Sequence, residues 1–196
     1  MDSVQQLAEL YFDQGGQNYI GEPVSQRDHA LQAAALASAA SAPSEAVLAA
    51  LLHDVGHLKY PNEGSMAGFG TPEHELLGAH YLATLGFSER VCGLVARHVD
   101  AKRYQVAQSP EYAAALSQAS QKTLTFQGGA MTTAEAQAFE CDPIFALALA
   151  VRRWDELAKT PNARVPGFGA YEALIQDHLS ATQLTIDQLD QFERDG

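Results

Sequence analysis

Apolar residues recur every three or four positions along most of the chain, which is the spacing of one face of an α-helix. The first segment with this pattern contains Val4, Leu7, Leu10 and Tyr11, and it ends at two glycines. No segment alternates apolar and polar residues in the way that a half-buried strand does. The pattern predicts an all-α fold, with residues 1–196 forming one helical domain.

Helix starts are indicated where side chains that can cap an N-terminus precede an apolar segment. We expect them at Ser25, Ser44, Thr71, Ser88 and Asp142. Asp28 follows Ser25 at a spacing that resembles a capping box, and Pro72 should occupy the first position of its helix. Residues 59–70 predict a loop, residues 109–133 are less regular, and the glycines at 128 and 129 indicate a tight turn. A last helix should end near Arg194.

Composition is that of a globular protein with a sizeable core, because 46% of the 196 residues are hydrophobic. No apolar run approaches the roughly 20 residues that a membrane crossing needs. The N-terminal residues lack a basic region followed by an apolar stretch, so we expect no signal peptide and a cytoplasmic location. Cys92 and Cys141 are too few for a disulfide framework or a thiolate metal site, and both are expected to be buried thiols.

The charge balance restricts the partners, because 24 acidic residues against 12 basic ones give a net charge of -12. Nucleic acid and anionic membranes require clustered positive charge and are not expected as partners. Five basic residues nevertheless lie near His98 or Asp155, namely Arg97, Lys102, Arg103, Arg152 and Arg153. This placement indicates an anionic substrate, unless these cations only favour helix C-termini or pair with nearby acids.

Two of the strongly apolar helical segments end in residues that are costly to bury. His53 and Asp54 follow one of them, and Asp155 lies late in another. An acid or a histidine buried there needs a partner, and a metal ion would satisfy all three side chains. Seven histidines are present: His29, His53, His57, His74, His80, His98 and His178.

Six of these side chains could meet around one centre if the helices converge. The predicted metal ligands are His29, His53, Asp54, His74, His98 and Asp155. Imidazoles and carboxylates suit iron, manganese, cobalt, nickel or zinc. Six protein ligands exceed what one catalytic ion uses when it keeps open positions, so we predict two ions bridged by Asp54.

The order of these residues resembles the H…HD…D pattern of the HD superfamily, with His74 and His98 added for a second metal. The chain is further similar to the HD-domain mixed-valent diiron oxygenases, in the branch that cleaves 1-hydroxy-2-aminoethylphosphonates and their N-methylated relatives. The segments that carry this likeness are YIGE at 19–22, HVDAKRY at 98–104, QGG at 127–129 and RRWD at 152–155. Matching motifs run from about residue 17 to 157, and the last forty residues carry none.

This resemblance implies a cofactor of two iron ions, Fe(II)/Fe(III) when active, held by the six residues above. Tyr19 would be a seventh, displaceable ligand that leaves when substrate arrives. The substrate would bind iron through its 1-hydroxyl and a phosphonate oxygen, and O2 would break the C–P bond. The substrate would supply all four electrons, and the products would be phosphate with glycine or glycine betaine.

The resemblance also implies how the organophosphonate is held. Glu22 would face the ammonium group of the substrate. The phosphonate would be held by His57, Lys102, Ser120 and Arg152. Cations and hydrogen-bond donors suit a dianionic group, although Lys102 and Arg152 could instead form surface salt bridges, and Tyr19 and Glu22 could be ordinary loop residues.

Three other functions remain open at this point. An HD-type phosphohydrolase would use the same ligands to hydrolyse a phosphate ester or nucleotide, but it has no need of Tyr19 beside its metal. An inositol-type ring-cleaving oxygenase shares the diiron site, and a metal-free helical binding module would need none of the ligands. Aromatic residues such as Tyr60 and Phe69 could accommodate a trimethylammonio group, which slightly favours an N-methylated substrate. The oligomeric state is not set by the sequence.

Overall fold

The computed structural model describes residues 2–19, 21–61, 66 and 68–195, and the side chains of these residues up to 185. This part of the chain forms helices and no strand, apart from an isolated bridge between Asn18 and Ser25. The α-helices are α1 (Ser3–Asp13), α2 (Gln26–Ala39), α3 (Ser44–Leu52), α4 (Val55–Lys59), α5 (His74–Thr84), α6 (Glu89–Gln108), α7 (Pro110–Ala115), α8 (Gln118–Phe126), α9 (Thr133–Glu140), α10 (Phe145–Leu157) and α11 (Glu172–Asp195). A 3-10 turn at Phe168–Ala170 precedes α11. The predicted all-α fold is confirmed.

Two of the predicted helix starts are confirmed by their capping bonds. The Ser25 side chain accepts a hydrogen bond from the Asp28 amide at the start of α2. The Ser88 side chain accepts one from the Val91 amide at the start of α6. Each bond satisfies an amide that has no partner within its own helix.

The predictions at Ser44 and Thr71 are wrong. Ser44 is the first residue of α3, and Pro43 occupies the N-cap position without a side-chain bond. Helix α5 begins only at His74, after Glu73 in the left-handed region with φ of 52°. The Thr71 hydroxyl donates instead to the carbonyl oxygen of Tyr60 at the end of α4, so it does not cap a helix.

Other boundaries also differ from the predictions. Helix α10 begins at Phe145, because the side chain of Asp142 accepts from the Ile144 amide and forms a turn first. Residues 109–133 are more regular than predicted and contain α7 and α8. The tight turn after α8 is confirmed, since Gly128 and Gly129 both have positive φ. Of the predicted loop at 59–70, Lys59 belongs to α4, and residues 62–65 and 67 lie outside the described residues.

Helix α3 is the centre of the core, and α2, α6 and α10 pack around it. Its residues 46–52 are all buried. Four of the seven buried residues of α2 are alanines, and such small side chains let helix backbones approach closely. Because α3 runs through the middle of the bundle, its C-terminal end delivers His53 and Asp54 to the interior.

Gly56 allows helices α4 and α5 to come into backbone contact. A Cβ atom at this position would lie 2.0 Å from the carbonyl oxygen of His74 and 2.9 Å from its carbonyl carbon. No side chain larger than hydrogen fits there without moving the start of α5. This close approach brings His74 next to Asp54.

The two cysteines are less buried than predicted. Cys92 is half-buried in α6, whereas Cys141 is exposed at the C-cap of α9. The prediction of a buried thiol is therefore wrong for Cys141, which lies past the apolar face of its helix. Among the described helices, none combines the length and the apolar character that a membrane crossing requires.

Candidate metal centre and adjoining cavity

The structure brings the six predicted metal ligands together in the middle of the bundle. They come from α2, the end of α3, the first turn of α5, the middle of α6 and the last turns of α10. The residues are His29, His53, Asp54, His74, His98 and Asp155, and all are at most 7% exposed. His80 is exposed, and His178 accepts a hydrogen bond from the Ser88 amide away from this cluster.

The first group of ligand atoms comes from His29, His53, Asp54 and Asp155. The Nε2 atoms of His29 and His53 lie 3.0 Å apart. Oδ1 of Asp155 is 3.3 Å from His29 Nε2, and Oδ2 of Asp54 is 3.3 Å from His53 Nε2. Two imidazole nitrogens and two carboxylate oxygens thus surround one point.

The second group consists of His74, His98 and the other oxygen of Asp54. The Nε2 atoms of the two histidines lie 3.1 Å apart. Oδ1 of Asp54 is 3.2 Å from His74 Nε2 and 3.6 Å from His98 Nε2. The carboxylate of Asp54 therefore presents one oxygen to each group, as a bridging ligand would.

These separations fit the coordination of transition metals. Two ligand atoms at about 2.1 Å from one ion are about 3.0 Å apart at a right angle and about 3.4 Å apart at a tetrahedral angle. The distances within both groups fall in or near this range. The donor set of imidazoles and carboxylates suits divalent transition metals such as iron.

Backbone carbonyls fix the ring tautomers of three histidines. Nδ1 of His29 lies 2.9 Å from the oxygen of Ala158, and Nδ1 of His53 lies 2.9 Å from the oxygen of Ala50. Nδ1 of His98 is bonded to the Val95 oxygen in the same way, at 2.7 Å. Because a carbonyl only accepts, each Nδ1 carries the proton, and each neutral ring turns the lone pair of Nε2 inward.

This arrangement is unfavourable without a cation. The lone pairs of His29 and His53 face each other across 3.0 Å. Oδ2 of Asp54 and Oδ1 of Asp155 are buried and make no hydrogen bond. Buried anionic oxygens are costly unless they are paired, and an ion between these atoms would satisfy all of them. The residues present therefore fit a metal pair.

Electrostatics in the cluster favour bound positive charge. Burial would raise the pKa of Asp54, but His53 and His74 outweigh it and hold the pKa well below its usual value. Burial likewise opposes the ionisation of Asp155, and Arg152 with the nearby histidines lowers its pKa well below the usual value. Burial lowers the pKa of His53, yet the two carboxylates raise it to about 9. Both acids are thus ionised. Without a metal ion, a proton on His53 would supply the positive charge that balances them.

His57 also lies within ligand distance of Asp54 and His74, but its tautomer suits another role. Its ring stacks on His74 with centroids 3.8 Å apart, and its Nδ1 accepts a hydrogen bond from the Thr71 amide at 3.1 Å. Burial, together with His74, lowers the pKa of His57 to about 3, so the ring is neutral. The remaining proton sits on Nε2, which makes His57 a hydrogen-bond donor.

A cavity of about 40 Å³ adjoins the cluster. It is lined by all five residues that the resemblance assigns to the substrate, Glu22, His57, Lys102, Ser120 and Arg152. Tyr19 lines it as well, and its ring stacks on His29 with centroids 3.9 Å apart. Burial and the charges of Asp54 and Asp155 raise the pKa of the Tyr19 phenol well above its usual value. A phenolate there would require the positive charge of an ion.

The basic residues of the cavity are held by neighbouring side chains. Nζ of Lys102 donates to the Thr123 hydroxyl at 3.1 Å, and burial together with Arg152 lowers the pKa of Lys102 to about 7. Arg152 donates through Nε to the Tyr112 hydroxyl and through its two terminal nitrogens to Asp155 and Glu156. At least two of its five N–H groups are left for a ligand. Ser120 lies in the first turn of α8, where the helix dipole favours an anion.

The other three basic residues near the predicted ligands do not belong to this cavity. Arg97 pairs with Asp100 and Asp142, and Arg103 pairs with Asp100 and Glu135. Arg153 is exposed. For these three cations the simpler interpretation, pairing with acids or a solvated position, is the correct one.

Lys159 and Glu156 are cavity neighbours that the sequence analysis missed. Nζ of Lys159 lies 3.3 Å from Oε1 of Glu22, 3.1 Å from Oε1 of Glu156 and 3.4 Å from the Ser120 hydroxyl. Positions 152, 155, 156 and 159 are spaced as one face of a helix, and this spacing was the available signal.

Comparison with known proteins gives the family. The HD domain model matches residues 27–160. A hydroxymethylphosphonate dioxygenase of Gimesia maris is 39% identical over 180 residues, which cover 91% of this chain and 89% of that protein. The glycine-betaine-forming 1-hydroxy-2-(trimethylamino)ethylphosphonate dioxygenase of Leisingera caerulea is 35% identical over 176 residues, or 88% of each chain. An uncharacterized protein of Acanthamoeba polyphaga mimivirus is 36% identical over 182 residues, or 92% of this chain and 83% of that protein. The chain therefore belongs to the HD-domain family and, within it, to the HD-type oxygenases.

Proposed function

We propose that this protein is a non-haem diiron oxygenase that uses O2 to cleave the C–P bond of a 1-hydroxyphosphonate and releases phosphate. The observation that carries the proposal is the orientation of Asp54, whose two oxygens face two separate groups of imidazole nitrogens. Next to these groups lies a cavity lined by buried cations. A metal pair beside an anion-binding cavity is what an oxygenase acting on a phosphonate requires.

The six clustered residues would hold the two ions. His29, His53 and Asp155 would bind one iron, His74 and His98 the other, and Asp54 both. The distances of 3.0 to 3.6 Å between neighbouring ligand atoms support this division. When bound, the irons would supply the redox chemistry that lets O2 react with the substrate.

The side chains of the cavity would bind and orient the phosphonate. Lys102 and Arg152 offer positive charge, and His57 offers a neutral N–H donor at Nε2. Ser120 adds a hydroxyl in the first turn of α8. Because these groups lie on one side of the metal cluster, a phosphonate held by them would present its C1 carbon and hydroxyl to the ions.

The reaction balances without an external reductant. A 1-hydroxyphosphonate, RCH(OH)PO3H2, and O2 give the carboxylic acid RCOOH and phosphoric acid. The C1–P and C1–H bonds break, and C1 loses four electrons, which reduce the two oxygen atoms of O2. The O2 atoms and the substrate oxygens together account for the oxygens of both products.

The resemblance favours (R)-1-hydroxy-2-aminoethylphosphonate or its trimethylammonio analogue, which would give glycine or glycine betaine with the phosphate. Hydroxymethylphosphonate, on which the Gimesia maris relative acts by its name, is a third candidate and would give formate. The three compounds differ only in the group that C1 carries, and in this proposal Glu22, which lines the cavity, would distinguish them.

The test is to load the protein with iron and measure O2 consumption and phosphate release together for each hydroxyphosphonate. We expect one O2 to be consumed for each phosphate released. The same preparation is tested on phosphate esters and nucleotides without O2. Phosphate release that does not depend on O2 would contradict the proposal and indicate a metal-dependent phosphohydrolase.

A further inference from the structure

An alternating set of charges connects the cavity to the metal cluster. It runs through Glu22, Lys159, Glu156, Arg152 and Asp155. Lys159 is the only member of this set that lies beyond the end of α10, two residues past Leu157. Its Nζ reaches the two acids on either side of it, at 3.3 Å and 3.1 Å. The acid that faces the cavity is therefore already paired within the protein.

Lys159 stands behind the cavity wall. It does not line the cavity, but it contacts two residues that do, Glu22 and Ser120. The side chains of Lys159 and Glu22 are 12% and 10% exposed, so solvent screens their interaction only weakly. The ammonium group of Lys159 thus lies between Glu22, which is proposed to face the C1 substituent, and Ser120, which is proposed to hold the phosphonate.

This pairing changes what Glu22 offers to a substrate. A free carboxylate would attract an ammonium group, whereas a carboxylate paired with Lys159 has its charge compensated. A carboxylate has about four acceptor sites, so one ion pair leaves others able to accept a hydrogen bond from a neutral group. A second cation there would lie near Lys159 and be repelled by it.

We propose that Lys159 is a specificity-determining residue which neutralises Glu22 and selects 1-hydroxyphosphonates whose C1 substituent carries no positive charge. This inference rests on the proposed function and narrows its substrate class. Hydroxymethylphosphonate is the smallest such compound.

The experiment measures binding and turnover separately. Calorimetric titration of the iron-loaded protein without O2 gives the Kd for hydroxymethylphosphonate and for 1-hydroxy-2-aminoethylphosphonate. O2 uptake then gives kcat/KM for the same two compounds. In the wild type, both the affinity and kcat/KM should favour hydroxymethylphosphonate at least about tenfold, on the strength of a weakly screened like-charge contact.

Substitution of Lys159 should weaken or abolish this preference. In Lys159→Met the ratio should shift by at least about tenfold toward the ammonium compound, because Glu22 is then free. Lys159→Gln serves the same purpose if the methionine variant does not fold. Lys159→Arg keeps the charge and should keep the wild-type preference. Lys59→Met, the same change at an exposed lysine of α4, should leave the ratio unchanged.

A double variant tests whether Lys159 acts through Glu22. In Glu22→Gln/Lys159→Met the gain for the ammonium compound should disappear. The inference is overturned if the wild type binds the ammonium compound more tightly, or if Lys159→Met leaves the ratio of Kd values unchanged. If the Kd ratios of the two compounds are as expected but neither compound is cleaved with O2, the role of Lys159 is supported and the proposed function is refuted. If both compounds are cleaved with O2 and with equal preference, the proposed function is supported and the role of Lys159 is refuted. If neither compound binds, both the proposed function and the role of Lys159 are refuted.

Discussion

Replacing Asp54 by asparagine removes the negative charge of the proposed bridge and keeps the size of the side chain. Changing a residue that contacts a metal only through another ligand already costs about 10–100-fold in affinity, so losing a direct ligand should cost each ion at least about 100-fold. At an iron concentration 100 times Kd, each ion stabilises the fold by about 2.7 kcal/mol, and a site 100-fold weaker retains about 0.4 kcal/mol. If Asp54 serves both ions, the loss is about 4–5 kcal/mol. For a chain of this size, that corresponds to about 10–15 °C in Tm.

The assay compares iron-loaded and metal-free protein for each variant, so that effects of the substitution on the metal-free chain cancel. Iron per chain is measured after gel filtration, and Tm by calorimetry. Asp13→Asn, the same change at an exposed residue of α1, is the matched control and should bind iron like the wild type. If Asp54→Asn keeps one iron per chain at wild-type affinity, then Asp54 binds a single ion and the bridge is refuted.

Three further predictions follow from particular contacts. In Glu75→Gln, the affinity for one of the two ions should fall about 10–100-fold, because the Glu75 carboxylate lies 3.4 Å from Nδ1 of His74. Competition with a chelator measures both affinities, and equal affinities for the two ions would contradict this prediction. The KM for a phosphonate should increase as the pH is raised through 7, because the pKa of Lys102 is lowered to about 7 and its positive charge is lost above that pH. If a Lys102→Met variant shows the same pH profile, Lys102 is not the group responsible. Gly56→Ala should lower the free energy of unfolding by at least about 2 kcal/mol, because the added Cβ meets backbone atoms of His74. In the control Gly16→Ala the added Cβ meets nothing within 4 Å, so denaturant unfolding should show a change of less than about 1 kcal/mol.

Three of the clustered residues could be predicted from their apolar settings, whereas His29, His74 and His98 were predicted from the order of the HD pattern. His53 and Asp54 follow a helix whose residues 46–52 are all buried, so the chain has no way to expose them. Asp155 lies on the buried side of α10 for the same reason. Helical spacing alone was enough to recognise these burials, because a strongly apolar helix must lie in the core of a globular domain.

The division of the ligands into two groups was predicted, but the orientation of the rings within each group could not be, because it depends on side-chain rotamers and on distant backbone atoms. The inward lone pair of His29 is set by the carbonyl of Ala158, which is 129 residues away in sequence. The side chain of Gln32 bonds both the amide and the carbonyl of Thr160, and it holds the same segment against α2. Such contacts exist only once the helices have packed.

The role of Lys159 was equally hidden. Helical spacing relates it to Glu156, but its other acidic partner, Glu22, lies in a loop before α2. The helix starts that were predicted wrongly have a different cause: a side chain that could cap a helix can make another hydrogen bond instead. The hydroxyl of Thr71, which suits a helix cap, is instead taken by the carbonyl of Tyr60. Competition between local and tertiary hydrogen bonds decides such cases, and sequence shows only the local half.

The most direct test of the metal pair is X-ray diffraction from crystals of the iron-loaded protein, with data collected on both sides of the iron absorption edge. The anomalous difference map should contain two peaks per chain, one on each side of the Asp54 carboxylate. One peak should lie among His29, His53 and Asp155, and the other beside His74 and His98. A single peak, or iron bound elsewhere in the chain, would contradict the account.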